Sequence, residues 1–191
     1  MKKFTASYWV FVLSIGLVCS YPLQVAEAQN HAGPLLSPSP LAAELTTPEQ
    51  IAKYMWRHFS FEHDRTHFGK EEYWQTPEEM LTNRKGDCED FALFAQAVLK
   101  RSGIKAFLLN IYGHRFSHTI CVFLDNGKYS AIDGTDVKRY ETDDLYELMN
   151  EIYPNWQTGA IVGRSPKSNK GRILKRFEKK LRTHQALASS L

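Results

Sequence analysis

Gly86-Asp87-Cys88-Glu89-Asp90-Phe91-Ala92 opens a run, 88–101, whose apolar residues (Phe91, Ala92, Leu93, Phe94, Ala95, Ala97, Val98, Leu99) cover almost every face of a helix. A helix that is apolar all round has to be buried, so the run predicts a central helix rather than a surface one. Gly86 breaks the chain before it, and Gly103 suits its C-terminal cap. Cys88 therefore sits in the first turn. Unpaired backbone N–H groups and the helix dipole there favour a thiolate and, during acyl transfer, an oxyanion. Asp87, Glu89 and Asp90 act in the opposite sense, because nearby negative charge raises a thiol pKa. They are compatible with a nucleophile only if they point elsewhere or have partners of their own.

Downstream, strands are predicted at 106–112, 118–124 and 128–133. Asp125-Asn126-Gly127-Lys128 is a two-residue hairpin signal between the last two. With Asn126 and Gly127 as the turn, Asp125 faces Lys128, Ile120 faces Asp133 and His118 faces Thr135. His118 and Ile120 share a face because strand side chains alternate, so Asp133 is the diagonal same-face neighbour of His118. A one-residue slip would put the two on opposite faces. The turn chemistry thus points to a set of Cys88, His118 and Asp133, with His118 taking the thiol proton and Asp133 orienting the imidazole. His114, in the Gly113-His114-Arg115 connection, is the competing base, but no strand-paired acid accompanies it. The same alternation sends Cys121 to the face opposite His118, as a small core residue.

Upstream, Thr47-Pro48-Glu49-Gln50 and Thr76-Pro77-Glu78-Glu79 both read as capped helix starts. Ile51, Tyr54, Met55 and His58 form the apolar face of the first helix. The stretch 59–73 reads as irregular, and His58, His63 and His67 are too loosely spaced for a zinc site. Thr142-Asp143-Asp144 caps a helix over 145–152, and 154–162 returns as a short strand. Helices first and an antiparallel sheet after them give an α+β class. A chain of 191 residues, 43% hydrophobic and 13% aromatic, suits one packed domain.

The two ends differ from the body. Lys2, Lys3, an apolar stretch over 8–18 and Ala26-Glu27-Ala28 read as a secretory signal peptide over 1–28, too short in its apolar part to span a membrane. Cys19 leaves with it. The Pro- and Ser-rich segment 29–46 reads as a flexible leader, 47–163 as the catalytic domain and 164–191 as a basic tail. Residues 29–163 carry 13 Lys/Arg against 19 Asp/Glu, and 164–191 carry nine Lys/Arg against one Glu. Within that tail, 172–182 predicts a basic amphipathic helix with Ile173, Leu174, Phe177 and Leu181 as its stripe. A periplasmic or secreted protein with two remaining cysteines also keeps a Cys88–Cys121 disulfide as an alternative.

Several blocks together resemble the transglutaminase-like superfamily of papain-like cysteine enzymes, over about 48–140. They are Tyr73-Trp74-Gln75-Thr76-Pro77-Glu78-Glu79, Arg84-Lys85-Gly86-Asp87-Cys88-Glu89-Asp90-Phe91-Ala92, Gly103-Ile104-Lys105-Ala106, Ser117-His118-Thr119 and Ala131-Ile132-Asp133-Gly134-Thr135. The resemblance implies an α+β, papain-like core in which the Cys88 helix packs on an antiparallel sheet bearing His118 and Asp133. It implies a peptidase or amidase working through a thioester on Cys88, with protein-glutamine transamidation as the alternative when an amine arrives instead of water. The block Asp87-Cys88-Glu89-Asp90 is also similar to that of bacterial transglutaminase-like cysteine proteinases, periplasmic enzymes that process adhesins, in which acids flanking the cysteine bind calcium. That similarity makes Asp87 and Glu89 candidate calcium ligands, although two carboxylates are few for such a site and acids capping a helix start account for them better. Asp133-Gly134-Thr135 departs from those proteinases toward the general superfamily pattern. No other cofactor is required. Trp74 and Gln75 are candidates to line the cleft or the oxyanion site. The expected partner is a protein or peptide substrate and no nucleic acid. The basic tail suits an acidic partner or an anionic surface, and a non-catalytic binding module built on it is the rival reading.

Overall fold

The structure, a computed structural model, describes residues 44–179. The segment read as a signal peptide, nearly all of that read as a leader and the last part of that read as a tail fall outside the described residues. In chain order the described elements are α1 (Pro48–His58), β1 (Ser60–Phe61), α2 (Asp64–His67), α3 (Pro77–Asn83), β2 (Lys85–Gly86), α4 (Cys88–Arg101) and β3 (Ala106–Tyr112). They continue with β4 (Ser117–Asp125), β5 (Lys128–Asp133), β6 (Asp136–Arg139), α5 (Leu145–Ile152), β7 (Thr158–Arg164) and β8 (Gly171–Glu178). The class is α+β.

Six strands form one antiparallel sheet in the order β6-β5-β4-β3-β7-β8. Its central strands are apolar on both faces, so both faces must be covered. Cys121 and Phe123 of β4 join a core with Phe94, Val98 and Leu99 of α4 and with Ile51 and Met55 of α1. Ile120 and Val122 of β4 join a second core with Leu148 and Met149 of α5 and with Trp156. α4 is therefore sandwiched between the sheet and the earlier helices, which is why its apolar residues leave no polar face. It spans the residues that its apolar run predicts, and Gly103 follows with φ +82°.

The local chemistry explains the boundaries. The Thr47 and Thr76 hydroxyls accept the N3 backbone N–H groups of α1 and α3, at 3.2 and 3.1 Å. Asn126 and Gly127 both have positive φ, 51° and 80°, as a type I′ turn requires. Asp125 pairs with Lys128, and the register runs on to Cys121 opposite Ile132. Cys88 and Cys121 are both free, so the disulfide alternative falls: Cys121 is fully buried in the core between sheet and α4.

Two regions depart from expectation. The stretch 59–73 is not irregular throughout. It holds α2, and β1 pairs parallel with β2, Phe61 opposite Gly86. The larger correction concerns the tail. Residues 171–178 form no helix but β8, which pairs with β7 along its length. The outer edge of β7 would otherwise leave its backbone groups unpaired. Phe177 packs inward against Tyr146, ring centroids 5.9 Å apart. The folded domain thus runs past 163 to Glu178.

Candidate active site

Cys88 begins α4 immediately after the β1–β2 pairing. Asp90, two residues on, ties this junction to the chain before α3. Its carboxylate accepts the Gln75 backbone N–H at 2.8 Å, the Gln75 side-chain N–H at 2.6 Å and the Asp87 backbone N–H at 3.3 Å. Gly86 lies against that knot. A Cβ there would meet Asp90 Oδ2 at 2.5 Å and Gln75 Nε2 at 2.8 Å, so only glycine fits. The Gln75 amide also donates to the Lys85 carbonyl at 2.8 Å. Gln75 is fully buried and serves as a strut, its amide N–H groups committed to Asp90 and the Lys85 carbonyl and its oxygen to Asn83. Trp74, by contrast, does line the cleft.

His118 and Asp133 stand where the hairpin register predicts. His118 Nε2 and Asp133 Oδ1 are 2.6 Å apart, and Lys138 Nζ donates to Asp133 Oδ2 at 2.7 Å. Burial alone would raise the Asp133 carboxyl, but these two partners outweigh it and hold it down at about 2. A carboxylate can only accept, so Nε2 must carry its proton and Nδ1 is left as the acceptor nitrogen of the neutral ring. The ring also makes an edge contact with Tyr153, centroids 5.8 Å apart.

His118 and Cys88 come from opposite sides of the sheet, and the geometry of β5 explains how one cleft receives both. Continuing the β4–β5 register would bring Gly134 opposite Thr119. Gly134 instead turns with φ +58° into β6, which leaves the Thr119 backbone N–H without a ladder partner. The Thr119 backbone acts on the nearby Cys88 thiol to lower its pKa, against the effect of burial. Cys88, His118, Thr119, Asn110 and Trp74 line one cleft of about 430 Å³.

Cys88 Sγ donates to Glu89 Oε2 at 3.1 Å rather than to the imidazole. Burial first and the Glu89 charge second push its pKa well above the ordinary thiol value, against the opposing pull of the Thr119 N–H. The acids show the same strain. Burial, followed by the neighbouring Glu89, pushes Asp87 up to about 9. Burial also raises Glu89 and Asp64, and it takes Asp90 to about 7 despite the Gln75 hydrogen bonds. Among the described residues no Lys or Arg pairs with any of the four. Asp64 Oδ1 and Asp87 Oδ1 are buried without a hydrogen-bond partner. Oxygens of Asp64, Asp87 and Asp90 lie within 4.8 Å of one another, as do ligand atoms of Asp87, Cys88 and Glu89. Buried hard oxygens with unused lone pairs fit a calcium-like cation.

Of the residues singled out in the sequence, Asp87 falls in both acidic groups, while Glu89 is engaged with the thiol. Asp64 had no sequence signal, since it reaches the group from α2. His114 is exposed in its loop and lies outside the cleft, whereas His63 lies on its rim.

A protein family described as a transglutaminase-like domain matches residues 41–150, more than half of the chain. An Archaeoglobus fulgidus protein described as a UPF0252 protein is 29% identical over an alignment of 124 positions that covers 56% of this chain. The chain spans 40% of that curated relative's length. Among solved structures, calcium-bound LapG of Legionella pneumophila is 15% identical with a TM-score of 0.47, covering 75% of this chain and 78% of its own. Another LapG structure from the same organism is 16% identical with a TM-score of 0.44, covering 62% and 66%.

Proposed function

The chain belongs to the transglutaminase-like domain family, and from that premise we propose that it is an exported cysteine peptidase or amidase acting through Cys88, His118 and Asp133. One observation carries the proposal: a histidine clamped at 2.6 Å to a carboxylate held ionised, opening on the same cleft as a cysteine at a helix N-terminus.

The reaction follows from the proton inventory. His118 Nδ1 accepts the Cys88 proton, and the thiolate adds to the substrate carbonyl carbon. The resulting oxyanion is held by the Cys88 backbone N–H, one of the unpaired donors of the first turn of α4. Asp133 stabilises the imidazolium and keeps Nε2 protonated throughout. His118 then gives its Nδ1 proton to the leaving amine as the C–N bond breaks, which leaves a thioester on Cys88. Water, deprotonated by the same nitrogen, attacks the thioester and releases the acid and the thiol. An amine in place of water would give transamidation by the same steps.

Asp64, Asp87 and Asp90, with Glu89 beside them, would hold calcium. Such a cation supplies positive charge to acids that otherwise oppose thiolate formation. Export is part of the proposal through the segment 1–28.

Intact-mass spectrometry tests the chemistry. Incubation with peptide or glutamine-amide substrates, quenched in acid, is expected to trap an acyl adduct on Cys88. Its absence with every substrate, or unchanged turnover in Cys88→Ala, would contradict the proposal.

A further inference from the structure

The basic segment that reads as a tail is built into the wall of the cleft. Its turn, between β7 and β8, is fastened to the chain just before α3. Trp74 N–H donates to the Asn169 carbonyl at 3.0 Å, and Arg164 Nε donates to the Trp74 carbonyl at 2.8 Å. The Trp74 ring lies on Gly171, where a Cβ would approach it to 2.4 Å. The same ring lines the cleft that holds Cys88.

A row of paired residues, with Ala160 in it covered by the core, links the strand that floors the cleft to the basic edge. Thr119 on β4 pairs with Asn110 on β3, Asn110 with Ala160 on β7, and Ala160 with Arg176 on β8. Directly paired residues share a face, so these four form one row across the sheet. The row crosses three strand spacings, about 14 Å, which an extended chain covers in about four residues.

β8 is an edge strand, and among the described residues nothing pairs with its outer side. Residues 164–179 hold seven Lys/Arg against one Glu. Among the described residues Lys167, Lys170, Arg172 and Lys175 form no ion pair. The Arg176–Glu178 pair is exposed on both sides and so exchanges readily with another carboxylate. Basic side chains and the irregularity opposite Ile161 and Val162 guard this edge against indiscriminate strand pairing. A strand that brings its own carboxylates is the kind such an edge admits, and only a polypeptide can use both its charges and its free backbone groups.

We propose that β8 is the substrate-docking edge of this site. Arg176, on the cleft's side of the sheet, and Arg172 and Lys175, on its other side, bind the two faces of an acidic, extended segment of a protein substrate whose reacting carbonyl sits at Cys88, about four residues beyond the Arg176 position at ~3.3 Å each. The inference rests on the cleft being the place of acyl transfer.

Fluorescence anisotropy on the full chain tests docking with a Glu-rich peptide and its Gln-substituted twin. The Glu-rich peptide is expected to bind about tenfold more tightly at low salt, with the difference shrinking as salt screens it. The combined Arg172→Gln, Lys175→Gln and Arg176→Gln variant is expected to bind the two peptides alike. The single Arg176→Gln variant, at an exposed position, gives an intermediate value if the combined variant folds poorly. A second measurement uses the same peptides carrying a chloroacetamide about four residues from the acidic run, the spacing set by the sheet. The Glu-rich one should alkylate Cys88 about tenfold faster than its twin in the native protein, and equally fast in the variant. Equal binding of the two peptides, acidic binding that survives the substitutions, or binding only to phosphatidylserine vesicles would each overturn the proposal. Plain iodoacetamide reports separately on the site. If it fails to single out Cys88, the acyl-transfer reading falls, while the anisotropy arm still decides the docking edge.

Discussion

Replacing Asp133 with asparagine separates orientation from charge at this site. In Asp133→Asn with the amide oxygen turned to His118, Nε2 can still donate and Nδ1 remains the acceptor. The negative charge goes, and with it the hydrogen bond from Lys138, which the amide NH2 group cannot accept. A hydrogen bond to a charged partner is worth about 1.5–3 kcal/mol and a neutral one about 1. The difference of about 1–2 kcal/mol predicts a loss of roughly five- to thirtyfold in the rate of Cys88 alkylation near neutral pH. Asp133→Ala removes the orienting acceptor as well and should lose more. The same substitution has a signature in stability. The carboxyl sits at about 2 in the folded protein, against a value near ~3.9 in the unfolded chain. A depressed carboxyl stabilises the fold in full above its unfolded value and loses that contribution as pH falls through the folded one. The amount is about 2 kcal/mol. Guanidinium unfolding of the native protein between pH ~5 and ~2 should therefore fall by about 2 kcal/mol more than that of Asp133→Asn. Parallel pH profiles, together with an alkylation rate indifferent to the substitution, would refute the placement of Asp133 behind His118.

Three other outcomes follow from the same region. Gly86→Ala drives a methyl into Asp90 and Gln75 and should destabilise the fold by about 1–3 kcal/mol by guanidinium unfolding, the range for overpacking a tight site. In chelator, the raised Asp87 carboxyl stabilises the fold below its unfolded value and stops doing so as pH climbs through about 9, so the thermal midpoint should fall over that window. Calcium should restore the midpoint in the native protein and have little effect in Asp87→Asn, as calorimetry in calcium and in EGTA would read. Glu89→Gln removes the charge that accepts from the thiol, so the midpoint of the alkylation–pH curve should move down, and an upward or null shift would count against that contact.

What the sequence disclosed is what is local. Asn126-Gly127 demands a two-residue turn, the turn fixes the register, and the register puts His118 and Asp133 together without knowledge of the rest of the fold. The all-round apolar run of α4 likewise discloses a central helix. The β8 strand was hidden because Ile173, Leu174, Phe177 and Leu181 fit a helical stripe. The register shift opposite Ile161 and Val162 puts Ile173 and Phe177 on opposite faces of the strand, which destroys the simple alternation a reader looks for. Asp64 was illegible for a different reason. It joins Asp87 and Asp90 only through the parallel β1–β2 contact and the hydrogen bond its Oδ2 accepts from the Tyr73 backbone, neither of which leaves a spacing in the sequence. The early end of the β4–β5 ladder, which leaves Thr119 unpaired on that side beside the cleft, is likewise announced by no residue type.

The central claim is that His118 activates Cys88. The most direct measurement is the second-order rate of Cys88 alkylation, followed by intact mass against pH in calcium, for the native protein and His118→Ala. Cys121, fully buried, serves as the internal unreactive thiol. The account predicts labelling at Cys88 near neutral pH well ahead of an ordinary thiol, whose pKa is about 8.5, and loss of that advantage in His118→Ala. Identical rate–pH curves for the two proteins would contradict it.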